Sequence, residues 1–571
     1  MKLFKKIMAL VIAMVMVLSM SMAVFATDTD QATGDGDTQQ ETTTPATKGS
    51  IDLTGGKAGH TYTLYQIFTG KVDGDQLIDI QWGADAPAAL KTQYATAAAA
   101  AKAIADQDDA RAFAQGLTLS GGTSKNLNAD GNVTFSDLTA GYYVIKDTNG
   151  NTEAVVGDYS SAIIVKVVGK VTGKLKGSAP SSEKKVADNN DSSKVQPDLS
   201  GLQDTDWEDS ADYDIGDDVP FKLKATTADN VAAYTKYHVT FQDKQSAGLA
   251  SPENISVTVL GQTLNVGDTK TTANGTKITV ANGTPDSGNT FAITVTFEQA
   301  NPTKDDNNNI TSYLNAECNS TDIIVKYTSK LTGNDVVIGK PGNPNEMYIK
   351  YSNNPEDKDD QEEGKTKEDK VVVFTYKTVI DKVDETGADL KGADFTLYKE
   401  VPEGTTGATK GDALTFANGV EHTKIDAAKY YVVAGTKTGT TAGSQFEFKG
   451  IDDGTYVLVE TTVPTGYNAF KSVVVTVSAE HLQGDDPVLT SLTATAPFTE
   501  TNADAGTVDR KKEGTTHSRV SGEAYAEIEN NSGAELPSTG GIGTTIFYIV
   551  GAILVLGAGI VLVTRRRMSA N

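Results

Sequence analysis

FKGIDDGTYVLVE, residues 448–460, reads as a strand behind a glycine turn, and its pattern occurs twice in the chain. FSDLTAGYYVIKD, residues 135–147, keeps phenylalanine, glycine and tyrosine in register with it and also closes on an acid, Asp147 against Glu460. Further upstream in each copy, GHTYTLY (59–65) matches GADFTLY (392–398) position by position. One β module therefore appears twice, flanking a different block. Self-similarity of this kind favours an array of domains over a single enzyme fold.

The first block spans 48–175. TYTLYQI, NVTFSDL, YYVIKD and AIIVKVVG alternate as strands do, while the alanine-rich stretch from Ala86 to Leu117 predicts one or two inserted helices. The middle block, 180–355, alternates in FKLKATT, YHVTFQD, ISVTVLG, KITVANG, FAITVTFEQ and DIIVKYTSKL, with Asn-Gly and Pro-Asp turns between. The third block, 371–531, is again rich in strands. Residues 356–370 are almost wholly charged and read as a solvated linker rather than a calcium loop, whose glycine and ligand spacing they lack. The fold class is all-β: three tandem immunoglobulin-like sandwiches, with a small helical insert in the first.

The ends carry topology signals. Lys2, Lys5 and Lys6 precede an apolar run from Ile7 to Ala23, and Val24-Phe25-Ala26 suits signal-peptide cleavage after Ala26. Residues 27–47 are polar and Thr-rich and should be disordered. An apolar run from Ile546 to Val563 is about long enough to cross a bilayer, and Arg565, Arg566 and Arg567 hold its end in the cytoplasm. ELPSTGG, residues 535–541, then faces outward at the membrane surface.

Composition excludes several functions. A net charge of −25 argues against nucleic acid and anionic lipid as partners. The five histidines, His60, His238, His422, His481 and His517, fall in no metal-ligand or hydrolase pattern, so neither cofactor nor metal nor enzyme activity is expected. Cys318 is the single cysteine, so an exported, elongated chain has no disulfide staples. Something else must resist unfolding.

LPSTG, with Leu536, Pro537, Ser538, Thr539 and Gly540, resembles together with the apolar span and the arginines the sorting signal of Gram-positive surface proteins. The resemblance implies that sortase cuts between Thr539 and Gly540 and passes the threonine carbonyl to an amine. VTGKLKGSAPSSEKKV, residues 171–186, resembles the pilin motif of the shaft subunits of sortase-assembled pili. That likeness makes Lys176, four residues before Pro180, the acceptor amine, with Lys174 as the alternative; Leu175 stands where the family has proline.

The third block resembles the B-type module of collagen-binding proteins (Cna-B) through KVD at 382–384, LKGADFTLY, YVLVETTVPTGY and IEN at 528–530. In that family the lysine of KVD bonds covalently to the asparagine of the last strand, promoted by the glutamate, which here implies Lys382, Asn530 and Glu460. The three residue types suit the chemistry. Burial lowers a lysine pKa and supplies a neutral amine, and the same burial raises a carboxyl so that it donates a proton. The middle block resembles the A-type relative (Cna-A), implying Lys184, Asp243 and Asn353, with Lys185 and Asn354 as neighbouring candidates. In the first block SIDL carries no lysine and AIIVKVVG no closing asparagine, so no cross-link is expected there.

The resemblance implies a major shaft pilin joined head to tail with copies of itself, and a monomeric wall-anchored adhesin is the alternative. Implied partners are a polymerising class C sortase, a housekeeping sortase, peptidoglycan, accessory pilins and a host receptor. Tension would enter at Lys176 and leave through Thr539, crossing the two blocks expected to be cross-linked.

Overall fold

The computed structural model describes residues 48–568 apart from 57, 75, 106–116, 149–154, 157–161, 176–178, 189–198, 200, 305–309, 356–359, 415–424, 499–502 and 534–541. The signal segment with Ala26, the Thr-rich stretch, Lys176 and LPSTG lie outside the described residues.

The first domain packs a three-stranded sheet, in the order 133–138, 49–54, 170–174, against a sheet built on Thr61–Asp73 and Gly141–Asp147. Alternation places Ile51, Leu53, Tyr62, Leu64, Phe135, Tyr143 and Ile145 between them. The alanine-rich stretch forms helices Ala88–Gln93 and Ala97–Ala105, which cover Ile67, Phe68 and Val144 with Leu90, Ala97 and Ala100. The closing strand differs from the one expected. It is Lys170–Lys174, which runs parallel to the first strand from Ser50↔Lys170 to Thr54↔Lys174, whereas Ala162–Val167 joins the other sheet beside Gly141–Asp147. The backbone of Lys174 is thus part of a sheet and not of a linker.

The middle domain is a larger sandwich. One sheet has the order 207–208, 181–187, 218–226, 322–330, 253–259, 262–264, and the facing sheet runs 210–212, 369–374, 343–352, 236–245, 291–299, 276–282, 269–271. Aromatic and β-branched side chains fill the space between, among them Phe221, Tyr237, Phe241, Phe297, Tyr327 and Tyr351.

The segment expected to be a solvated linker belongs to this sandwich. Glu363–Lys365 and Asp369–Phe374 both pair with Asn343–Ser352. Several of their charges are paired, which stabilises them in the sheet. His238 meets Asp360 at 2.8 Å and Glu363 at 2.9 Å, Lys350 meets Glu363 at 2.7 Å, and Lys370 reaches Asp486 of the third domain at 2.5 Å.

The third domain places sheet 436–438, 445–451, 376–384, 523–530 against sheet 409–410, 430–433, 394–401, 454–462, 473–482, 488–494. Its first and last strands run parallel, Lys382 beside Ile528 and Asp384 beside Asn530, as in the first domain. The strand Asp369–Phe374 joins it to the middle domain. Val371 and Val373 enter the middle core, while Val372 and Phe374 enter the third. Successive strand residues point to opposite faces, so one strand serves two cores. Around this seam Ile215 N donates to Gly450 O at 3.0 Å, and Lys399 is clamped between Asp214, at 2.6 Å, and Asp452. The C-terminal helix, Ile542–Met568, is apolar over a length able to cross a membrane.

Candidate cross-linking sites

In the third domain Lys382 and Asn530 stand on adjacent strands of one sheet, and Glu460 faces them from the other. All three are buried, Lys382 at 0 %, Asn530 at 1 % and Glu460 at 3 % exposure. Lys382 Nζ donates to the Ile528 carbonyl at 2.8 Å and to the Val383 carbonyl at 3.2 Å. The bond to Ile528 holds the amine at the last strand, one same-face step from Asn530. Asn530 Nδ2 donates to Glu460 Oε1 at 2.8 Å, and Phe470 N donates to the other carboxylate oxygen at 2.6 Å. Among the described residues, the buried Asn530 Oδ1 has no hydrogen-bond partner.

Charge follows burial here. Desolvation pulls Lys382 down to about 8, against the pull of Glu460, Glu529 and Asp384. Desolvation also raises the Glu460 carboxyl, opposed by the bonds from Phe470 and Asn530. Both shifts move the pair away from ammonium and carboxylate and toward neutral amine and neutral acid. The three residues implied by KVD, YVLVET and IEN are brought together.

In the middle domain the geometry is different. Lys184 lies on one sheet, and Asp243 lies on the facing one. Both are fully buried, and the Lys184 amine hydrogen-bonds Asp243 Oδ2. Desolvation lowers the lysine and raises the acid, with their mutual attraction opposing both shifts. Lys185 instead pairs with Asp209 at 2.6 Å near the surface.

The structure does not bring Asn353 to this amine. Tyr327 OH receives a bond from Lys184 Nζ at 3.2 Å and one from Asn345 Nδ2 at 2.9 Å, so Asn345 is the amide at this amine. Register explains the correction. Asp243 is paired with Met347, which puts Asn345 one same-face step away. Asn353 lies six residues beyond Met347 in the other direction, roughly 20 Å along an extended strand. Asn354, the neighbouring candidate, donates to Glu362 at 3.0 Å. Asn345 and Tyr327 were missed because a β pattern reports which face a residue occupies but not its partner across a sandwich. The only signal was that Asn345 falls in phase with Met347, Ile349 and Tyr351.

In the first domain Asp147, at the position of Glu460, takes Nδ1 of buried His60 at 2.6 Å. Near the seam, Asp214, Asp217 and Asp452 converge, and the Lys399 amine sits between Asp214 and Asp452 and offsets part of their charge.

Two segments match known families. Residues 377–486 match the SpaA prealbumin-like fold domain, which takes in Lys382 and Glu460, and residues 528–569 match the LPXTG cell wall anchor motif. The trypsin-resistant surface T6 protein of Streptococcus pyogenes is 27 % identical over 282 residues, which cover 42 % of this chain and 47 % of that protein. The chain therefore spans about half the length of this relative. The T6 backbone pilin structure, from serotype M6 of the same species, aligns at a TM-score of 0.45 with 15 % identity, over 86 % of this chain and 100 % of that one. The major pilin SpaD of Corynebacterium diphtheriae aligns at 0.41 with 16 % identity, over 87 % and 100 %. The chain carries a prealbumin-like SpaA domain followed by an LPXTG cell wall anchor motif, and it is similar to a streptococcal pilus protein.

Proposed function

We propose that the protein is the repeating shaft subunit of a covalent pilus on a Gram-positive cell surface. Sortase cleaves Thr539–Gly540 and joins the Thr539 carbonyl to Lys176 of the next copy; a class C enzyme polymerises, and a housekeeping sortase passes the finished fibre to peptidoglycan. Accessory pilins and a host receptor complete the set of partners. The observation that carries this reading is an LPXTG anchor motif directly behind a SpaA domain whose first and last strands meet at a buried lysine, acid and asparagine.

Within each load-bearing domain an amide bond forms. In the third, neutral Lys382 Nζ attacks Asn530 Cγ, and the Cγ–Nδ2 bond breaks. Glu460, which already touches Nδ2, supplies the proton with which ammonia leaves and recovers one from the lysine nitrogen. In the middle domain the corresponding bond joins Lys184 to Asn345. The first ties neighbouring strands of one sheet; the second ties sheet to sheet.

The test is a cell-wall extract of the native strain. A ladder of high-mass species that survives boiling and reduction, and that Lys176→Ala collapses to monomer, is the expected result. A monomer alone in the wild type overturns the shaft reading in favour of a monomeric adhesin. A ladder unchanged by Lys176→Ala, and abolished by Lys174→Ala, moves the acceptor.

A further inference from the structure

The middle and third domains solve the same problem with different acids. In the third, Glu460 reaches the asparagine nitrogen directly, at 2.8 Å. In the middle domain the acid is Asp243, one methylene shorter, and Tyr327 OH stands where the missing length would be. That hydroxyl has three polar neighbours: Lys184 Nζ at 3.2 Å, Asn345 Nδ2 at 2.9 Å and Asp243 Oδ2 at 3.1 Å. A phenol has one hydrogen to give and two lone pairs to receive. The two nitrogens donate to it, it donates to the carboxylate, and its capacity is filled.

We propose that Tyr327 is a catalytic residue of the middle-domain cross-link: its hydroxyl relays the proton from the Asp243 carboxyl to the departing nitrogen of Asn345. The proposal rests on the Lys184–Asn345 bond assigned under Proposed function.

The steps balance. A proton passes from the Lys184 ammonium to Asp243 Oδ2, its direct partner, leaving neutral amine beside neutral acid. Nζ attacks Asn345 Cγ, and the carbonyl π pair moves to Oδ1. As that pair returns, the Cγ–Nδ2 bond breaks. Tyr327 gives its hydrogen to Nδ2 and takes one from Asp243, so the phenol ends unchanged. The carboxylate then recovers a proton from the new Nζ–Cγ linkage. One ammonia leaves, one amide N–H remains, and nothing is oxidised or reduced.

Two further observations fit a relay. The ring is fixed, stacked on Phe221 with centroids 5.3 Å apart and edge-on to Phe291 at 5.1 Å, so the hydroxyl is aimed before reaction. Burial, with the Asp243 charge adding to it, also pushes the Tyr327 phenol well above its ordinary range. It therefore stays protonated and can pass a hydrogen on without becoming an anion. Among the described residues, the buried Asn345 Oδ1 and Asp243 Oδ1 have no hydrogen-bond partner, which leaves the carbonyl oxygen and the second carboxyl oxygen unengaged before reaction.

The experiment uses the full chain as wild type, Tyr327→Phe, and Tyr327→Phe combined with Asp243→Glu. Each is digested, and the branched peptides containing Lys184–Asn345 and Lys382–Asn530 are quantified against time after synthesis. Tyr327→Phe should slow the middle link by at least ~100-fold, the scale of a lost proton transfer, and leave the third-domain link intact as the internal reference. The longer acid, reaching Nδ2 as Glu460 does, should restore it. Tyr327→Phe linking at the wild-type rate overturns the proposal. So does an unlinked variant that Asp243→Glu fails to rescue, because a merely structural tyrosine behaves that way. If the wild type itself yields no Lys184–Asn345 peptide, the cross-link assignment has failed, and the relay falls with it.

Discussion

Replacing Glu460 by glutamine removes the acid while keeping its shape, and it isolates what the proposed third-domain bond contributes. Glutamine has one acceptor oxygen for two donors, Asn530 Nδ2 and Phe470 N, so one buried donor loses its partner at a cost of about 1–3 kcal/mol. The larger effect is the missing bond. A link from Lys382 to Asn530 closes a loop of about 150 residues, and chain-entropy treatment of such a closure gives about 5 kcal/mol. For a domain of this size that corresponds to a fall in melting temperature of roughly 10–20 °C. Intact mass should show one ammonia more than the wild type, and calorimetry under reducing conditions should show the lower transition. A variant that still loses ammonia refutes Glu460 as the promoting acid. A variant that stays unlinked yet melts within about 2 °C of the wild type refutes the idea that the link carries the stability.

Other perturbations address the sheet edge and the seam. Burial opposes the charged His238 imidazole, but hydrogen bonds to Asp360 and Glu363 outweigh it and hold the group at about 9 against an ordinary 6.5. The folded value is the higher one, so this contribution, about 3 kcal/mol, is complete below pH 6.5 and disappears as pH rises through about 9. The urea midpoint of the wild type should fall over that window, and His238→Gln should flatten the profile. At the seam, Lys399→Met leaves Asp214 and Asp452 facing each other without their cation, an expected loss of about 3–5 kcal/mol. Calorimetry would show it as a lower transition, and a wild-type thermogram would remove the cluster from any role in joining the domains.

The sandwich modules and the third-domain site were legible because their information is local. Glycine turns, alternation and the KVD, YVLVET and IEN strings each place a residue on a known strand and face, and Lys382, Glu460 and Asn530 meet where those strands pair. The middle site was half legible. Lys184 and Asp243 follow from their strands, but Asn345 and Asn353 share a face, and only the pairing of Asp243 with Met347 separates them. Register is a property of two distant strands and leaves no trace in either. Residues 360–370 misled for the opposite reason. Charge density is a sound sign of solvation when the charges are alone, and here His238 and Asp486, both distant in sequence, and the nearer Lys350 pair with them.

The strand Asp369–Phe374 also bears on how the molecule is made. A chain exported from its N-terminus delivers residues 181–352 outside the cell before that strand arrives, and until then the middle sandwich has an open flank between Ser210–Asp212 and Asn343–Ser352. Asp369 is the residue whose carboxylate receives the Lys184 backbone amide at 2.7 Å, so the strand that carries Lys184 gains this partner only when Asp369 arrives. Closure of the middle domain and nucleation of the third then become one event, and a nascent subunit arrested before Phe374 emerges would present a raw β edge to its neighbours.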